Sequence, residues 1–218
     1  MTTAQEWIQE FDLMYNNINS NLAPSLDDYE KSVFLTTAQE EIVKTLYKGG
    51  ALGNDSFEAT EQLRRSLDVL MTEVLLAPSG TVTNLGGTVY NIPSDVLYIV
   101  YEALINGNCC NKQGMIVIPT THDDFYKTYH NPFRGPNSTR VLRLDIDEDT
   151  VELFDVPPGS SYVIRYLRRP YPIILTPIAP DSINGYNTPG TPICELDEAL
   201  HRTILTTAVQ LAISAQTR

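Results

Sequence analysis

The chain has 218 residues, enough for one large domain, or one domain carrying another, to bury a core without disulfides or metals, and its 42% hydrophobic and 19% charged residues exclude disorder and a repeat array. A formal net charge of −12 opposes general binding to nucleic acid or anionic membranes. The three cysteines, Cys109, Cys110 and Cys194, make neither a secreted disulfide framework nor a C-x-x-C zinc motif, which suits assembly in a reducing cytosol.

The first 76 residues read as helices. The opening stretch "MTTAQEWIQEFD" is acidic and amphipathic, unlike a signal peptide. Thr3 stands three before Glu6, a capping-box spacing, and Trp7, Phe11, Met14, Tyr15 and Ile18 share one helical stripe. A second helix starts near Pro24 and Ser25, shows Tyr29, Val33, Phe34, Ile42, Val43 and Leu46 as its apolar face, and stops at Gly49 and Gly50. A third runs through "NDSFEATEQLRRSLDVLM", capped among Asn54, Asp55 and Ser56, with a Leu63, Leu67, Leu70 stripe. Residues 1–76 hold thirteen Asp/Glu against five Lys/Arg, a net of −8.

The period then changes. "SGTVTNLGGTVYNIPSDVLYIVYEALI" is rich in glycine, β-branched and aromatic residues, and "GMIVIP", "TRVLRLDI", "TVELFDV" and "SYVIRYLRRP" follow as strand candidates. "VLYIVYEALI" is the best apolar run, but it is short and holds Glu102, so no membrane span is expected. A short helix is expected in "THDDFYKTYHNPF", capped by Thr121, and Pro157, Pro158 and Gly159 make a turn. Next comes a loop with Pro177, Pro180, Pro189 and Pro192, of a length uncommon inside compact domains. The final helix lines Leu200, Ile204, Ala208, Leu211 and Ala215 along one face. The expected fold is α+β: an antiparallel helical bundle from residues 1–76 and the helix of 196–218, with an inserted antiparallel β region of five or six strands over 77–174 and a proline-rich arm over 175–195.

Sites for chemistry are sparse. There is no G-x-S-x-G elbow, no Walker lysine and no G-x-G-x-x-G, and His122, His130 and His201 accompany no nucleophile with a readable signature. Asp145, Asp147 and Asp149 alternate as in a calcium loop, but the sixth and twelfth positions hold Thr150 and Val156 where glycine and glutamate are required. An acidic turn between strands is the plainer reading. His122, His130 and Asp123 lack metal-ligand spacing, and structural roles near helix ends account for such histidines. No enzyme activity, cofactor or metal is expected.

The arginines are distributed unusually. Six of the ten, Arg134, Arg140, Arg143, Arg165, Arg168 and Arg169, fall within residues 134–169. In "TRVLRLDI" alternation puts Arg140, Leu142, Leu144 and Ile146 on one side and Val141 with Arg143 on the other. In the last strand Tyr162, Ile164, Tyr166 and Arg168 oppose Val163, Arg165, Leu167 and Arg169. Neither strand has a clean polar face. Two readings fit: stems covering apolar neighbours with their charged ends in water, or a surface covered by a partner, where arginine and tyrosine are enriched. The acidic helical region is the complement of such a basic surface, and separated faces of opposite sign let copies dock head to tail into a ring. A nucleic-acid-binding module using the same six arginines is the alternative, recognisable by steep salt dependence.

Taken in order, "FDLMYNNINSNLAPSLDDYEKSVFLTTAQEEIVK", "YNIPSDVLYIVYEALI", "IPTTHDDFYKTYHNPFRGPN", "YVIRYLRRPYPIIL" and "ELDEALHRTILTTAVQLA" resemble virion structural proteins of the crAss-like tailed bacteriophages, in particular the head-to-tail ring or adaptor protein. The resemblance covers nearly the whole chain through the number and order of its segments. It implies a ring of twelve copies beneath the portal protein, around the channel through which genomic DNA passes without specific binding, with a further tail ring or tail protein below. It implies assembly in the host cytoplasm and a place at the head-tail junction of the virion. By the same likeness, carried over as position alone, the helix from Leu196 docks on the portal, with Leu200, Ile204 and Leu211 of its apolar face as the expected contacts; packing into its own bundle is the alternative.

Overall fold

A computed structural model describes residues 3–18, 25–48, 61–80, 83, 85–106, 114–175 and 193–216. Pro24, Gly49, Gly50, Asn54, Asp55, Ser56, Cys109 and Cys110 lie outside the described residues, as do Pro177, Pro180, Pro189 and Pro192. The chain divides into two compact units, one made of Met1–Leu70 with Pro170–Arg218 and the other of Met71–Arg169.

The first unit is helical. Helix α1 (Ala4–Ile18) opens on the Thr3 box, with Thr3 N–H donating to Glu6 at 2.7 Å and Glu6 N–H to Thr3 Oγ1 at 3.3 Å. Helix α2 (Asp28–Tyr47) is capped by Asp27, whose own N–H donates to Glu30 at 3.0 Å, so the helix begins beyond the Pro24 and Ser25 expected to start it. Helix α3 (Glu61–Leu67) is short and runs into a 3-10 turn, Asp68–Leu70. Helix α5 (Glu198–Gln216) closes the unit, with Asp197 accepting from Ala199 N–H. Trp7, Phe11 and Tyr15 of α1 are buried as the stripe predicts. On α2 Ile42 and Val43 are buried as expected, but they share the buried face with Lys31, Ser32, Leu35, Ala38 and Gln39, leaving Tyr29 and Val33 exposed. On α5 it is Ile204, Leu205, Ala208, Val209 and Ala212. Helix α5 packs on both α2 and α1, and the alanines at 38, 208 and 212 let backbones approach. A segment with Ile173 and Leu175 is tied to α2, their N–H groups donating to Thr36 Oγ1 and Ser32 Oγ, both at 3.1 Å.

The second unit is a seven-stranded sheet, and it overturns the expected architecture. The strands are β1 (Met71–Leu76), β2 (Thr88–Asn91), β3 (Val96–Asn106), β4 (Met115–Thr120), β5 (Arg140–Asp145), β6 (Thr150–Phe154) and β7 (Ser160–Arg168), in the order β1-β7-β3-β4-β5-β6-β2. A helical bundle carrying a small antiparallel insertion does not describe this molecule, although α+β remains its broad class. The sheet is mixed, because β4 and β5 run parallel in register Ile116 with Arg140 through Thr120 with Leu144. The reason is the connection: α4 (His122–Tyr129) and the loop after it carry the chain back, so β5 starts in the direction of β4. Strand β1 arises where the third helix was expected to continue. Its six residues pair antiparallel with β7 from Met71 with Leu167 to Leu76 with Tyr162.

Tyr90, Leu104, Met115, Val117, Val141, Leu153, Tyr162, Ile164 and Tyr166 form one cluster in the sheet. Leu142, Leu144 and Phe154 form another, against which Phe125 of α4 packs. Both sides of β7 are buried, since Val163 and Leu167 are covered as well, and only Arg165 is exposed in mid-strand. Among the described residues, strands β3 and β4 share two register pairs, Ala103 with Ile116 and Leu104 with Met115.

Candidate subunit interface

The six arginines do not converge on one patch. Arg143 points into the first cluster's side of the sheet and is almost completely covered, with its side chain 11% exposed. Its Nη1 stands 2.8 Å from Glu102, itself 12% exposed, and Tyr162 donates its hydroxyl to the same Glu102 oxygen at 2.6 Å. Arg143 Nε lies 3.0 Å from Asp145, close enough for charge attraction though not aligned as a hydrogen bond. Burial alone would lower the Arg143 pKa, but Glu102, Tyr162 and Asp145 outweigh it and hold the guanidinium charged. Burial first, and then the Glu102 charge, pushes the Tyr162 phenol up. This is an internal ion pair.

Arg165 is exposed, but it pairs across the strands with Glu73 of β1 and lies over the Tyr101 ring at 5.7 Å. Arg168 is half-buried at the end of β7, beside Tyr166, whose hydroxyl donates to Asp95 at 3.1 Å. Burial, then Asp95, pushes the Tyr166 pKa up to about 12, while Arg168 pulls it down. Arg169 follows, exposed, its backbone N–H bound to the Asp95 carbonyl at 2.8 Å. Among the described residues, neither Arg134 nor Arg169 has an ion-pair partner for its guanidinium.

Arg134 and Arg140 are brought together, by the loop after α4. Asn131 Oδ1 accepts from the N–H groups of Phe133 and Arg134 at 2.9 and 3.2 Å, and Gly135 N–H donates to the Asn131 carbonyl at 2.7 Å. Arg140 Nη1 donates to the Phe133 carbonyl at 3.0 Å. A Cβ on Gly135 would stand 2.7 Å from the carbonyl oxygens of both Asn131 and Tyr129, so only glycine fits. The result is a folded turret that displays Phe133, 86% exposed, with Arg134 next to it. Clustering marks the arginines of this loop in the sequence, whereas Phe133 belongs to no pattern there. The available signal was a lone large aromatic between two Pro/Gly turns.

The terminal-helix residues fall differently. Ile204 is fully buried within the helical unit, whereas Leu200 and Leu211 are half-buried and retain surface. His201 packs against Trp7 with the rings tilted by 54° and their centroids 5.1 Å apart.

Other candidate chemistry resolves into structural roles. His122 Nε2 bonds the Asp145 carbonyl at 2.8 Å and His130 Nδ1 the Tyr126 carbonyl at 2.9 Å. Asp147 accepts from Asp149 N–H within the acidic turn at 3.1 Å. Among the described residues, no group of three or more His, Cys, Asp or Glu is placed to hold a metal ion, and no helix is long and apolar enough to cross a membrane. A shallow groove of about 250 Å³ lies where β3 and β4 part, lined by Tyr101, Glu102, Met115 and Ile116 among others. Cys194 is buried, which pushes its thiol up to about 11 and keeps it protonated near neutrality.

A family model described as phage tail ring protein 3/4 matches residues 1–218. Ring protein 3 of Bacteroides phage crAss001 is 39% identical over 227 residues, covering 99% of this chain and 97% of that protein. Ring protein 4/5 of the same phage is 34% identical over 229 residues, covering 96% of this chain and 92% of that protein.

Proposed function

The chain belongs to the phage tail ring protein 3/4 family, and from that premise we propose that it forms a ring in the head-to-tail connector of a tailed phage, joining portal to tail around the DNA channel. The observation that carries the reading is the full-length match to the family, supported by two ring proteins of one phage aligned nearly end to end. The protein's work on this reading is binding, with no reaction to catalyse. Twelve copies, in step with the portal, complete the ring.

The physical chemistry agrees with that role. A ring needs two different surfaces on each subunit that fit each other, and this chain separates acidic helices from a basic loop and strand. Arg134 and Arg169 are exposed and have the most surface to offer a neighbour; Arg165 is exposed but paired with Glu73, Arg140 and Arg168 are half-buried, and Arg143 is held in its internal pair. A net charge of −12 keeps DNA phosphates moving through the lumen without capture. Leu200 and Leu211 on α5 are the residues proposed to meet the portal.

Mixing the purified full-length chain with its cognate portal and imaging the product by electron microscopy tests the reading. An added ring layer is expected. A portal that stays bare at saturating protein overturns it. Leu200→Asp combined with Leu211→Asp is expected to leave the chain folded and the portal bare, whereas a normal added layer would remove α5 from the docking surface.

A further inference from the structure

We propose that the turret on Phe133 and Arg134 is the anchor by which one copy of this chain seats on the outer face of α2 in the next copy. The inference rests on the ring reading and names the two surfaces that meet. From Lys127 to Arg143 the chain has no acidic residue: Lys127 near the end of α4, 4.0 Å from Asp124, and then His130, Arg134 and Arg140 flank in sequence an 86% exposed phenylalanine. Tyr126, 74% exposed, extends the apolar part, with its ring 4.5 Å from that of His130. The loop is held by the Asn131 and Arg140 hydrogen bonds and by the close approach at Gly135, so little freedom is lost when it docks. An aromatic beside an arginine on a fixed turn is the composition of an interface hot spot.

The receiving surface is on the same sequence. Along α2, Tyr29, Val33, Thr37 and Glu41 follow each other at intervals of four and are all exposed, with Glu30 exposed beside them. Tyr29 is 50% and Val33 43% exposed, an apolar strip on a helix of acidic surroundings. That strip matches the turret in both respects: a ridge of apolar side chains for Phe133, and carboxylates at its two ends for Arg134 and Lys127. Because the turret and the ridge are different surfaces, the contact is head-to-tail, the kind that closes into a ring. A second copy is therefore the occupant that the charges select.

The test uses rings assembled from the full chain, alone or on its cognate portal, carrying photoreactive p-benzoylphenylalanine at position 133. Illumination is expected to join position 133 of one copy to a peptide of residues 28–47 of another. Phe133→Ala is expected to weaken subunit association about 30-fold, the loss typical of a hot-spot aromatic, without changing the circular dichroism of the subunit. Arg134→Glu and Glu41→Arg should each weaken assembly, and combining them should restore it. If wild-type rings form while Phe133→Ala assembles equally well, or the cross-link falls elsewhere or on another polypeptide, the inference is overturned and the ring reading stands. If the wild-type chain forms no ring even on the portal, the ring reading fails and takes the inference with it.

Discussion

Replacing Arg143 with alanine removes one partner of a nearly dry ion pair and leaves the other in place. Glu102 then keeps a charge at 12% exposure with one Tyr162 hydroxyl for company, because Asp145 can only repel it. At 2.8 Å and an effective dielectric near 20, the lost attraction is about 6 kcal/mol before the cost of drying the guanidinium is subtracted. Breaking buried pairs from one side typically costs about 3–5 kcal/mol, and the surviving Tyr162 bond places this site at about 3 kcal/mol. Arg165→Ala is the control, since its pair with Glu73 is 58% and 54% exposed and worth at most about 1 kcal/mol. With a urea slope of ~2 kcal/mol per molar, Arg143→Ala should lower the midpoint by ~1.5 M and Arg165→Ala by under ~0.5 M. Hydrogen exchange at the β3 and β7 amides would localise the loss to the sheet. Arg143→Met with Glu102→Gln should recover most of it, because no charge is then left buried and Tyr162 keeps an acceptor. A cost for Arg143→Ala no greater than that for Arg165→Ala would refute the reasoning.

Three further outcomes follow from the packing. Lys31 is buried with Asp12 at 2.9 Å and Asp28 at 3.4 Å, but both carboxylates are substantially exposed, so Lys31→Met should cost under ~1 kcal/mol by thermal melting, and a loss above ~2 would contradict it. Gly135→Ala should cost ~1–3 kcal/mol through its clash with two carbonyl oxygens, seen as faster exchange of the Phe133 to Arg140 amides; unchanged exchange would show that the turret can relax. Tyr90, Tyr162 and Tyr166 all have raised pKa values in the fold, Tyr166 to about 12, so an unfolded chain loses these protons first as pH rises above 10. Stability should hold below pH 10 and fall between pH 10 and 12, with late tyrosine ionisation in the ultraviolet; stability flat to pH 12 would contradict those raised values.

What could be read along the chain was local. The Thr3 and Glu6 box and the Trp7, Phe11, Tyr15 stripe depend on spacings of three and four, and both are present as expected. Alternation in β7 likewise put Tyr162, Ile164 and Tyr166 on one side. The face of α2 was only partly legible: Ile42 and Val43 are buried as expected, but so are Lys31, Ser32 and Gln39, of which Lys31 is answered by Asp12 and Ser32 by the Leu175 N–H, partners no local pattern announces. Strand β1 was hidden because the leucine spacing at 63, 67 and 70 runs up to Met71 with no proline or glycine to mark the change. The parallel pairing of β4 with β5 required knowing that α4 returns the chain. Among the arginines, the deciding facts were long-range: Glu102 lies far from Arg143 in sequence, and Glu73 far from Arg165. Phe133 is faint for a different reason: exposure of a single aromatic has no periodic signature, and its one mark is its place between Pro132 and Gly135.

Among the described residues, the join between β3 and β4 is two register pairs long, a fault line in the sheet. On one side stand β1, β7 and β3, laced by ladders of six and nine paired positions; on the other, β4, β5, β6 and β2 are laced by ladders of four and five. Pulled apart, the panel yields first along the line where fewest bonds must open, and each half keeps its own weave. What spans the line is side chain: the Arg143 to Glu102 pair and the packing of Leu104 and Tyr162 with Met115 and Val117 rivet the two leaves where the backbone ladder is short.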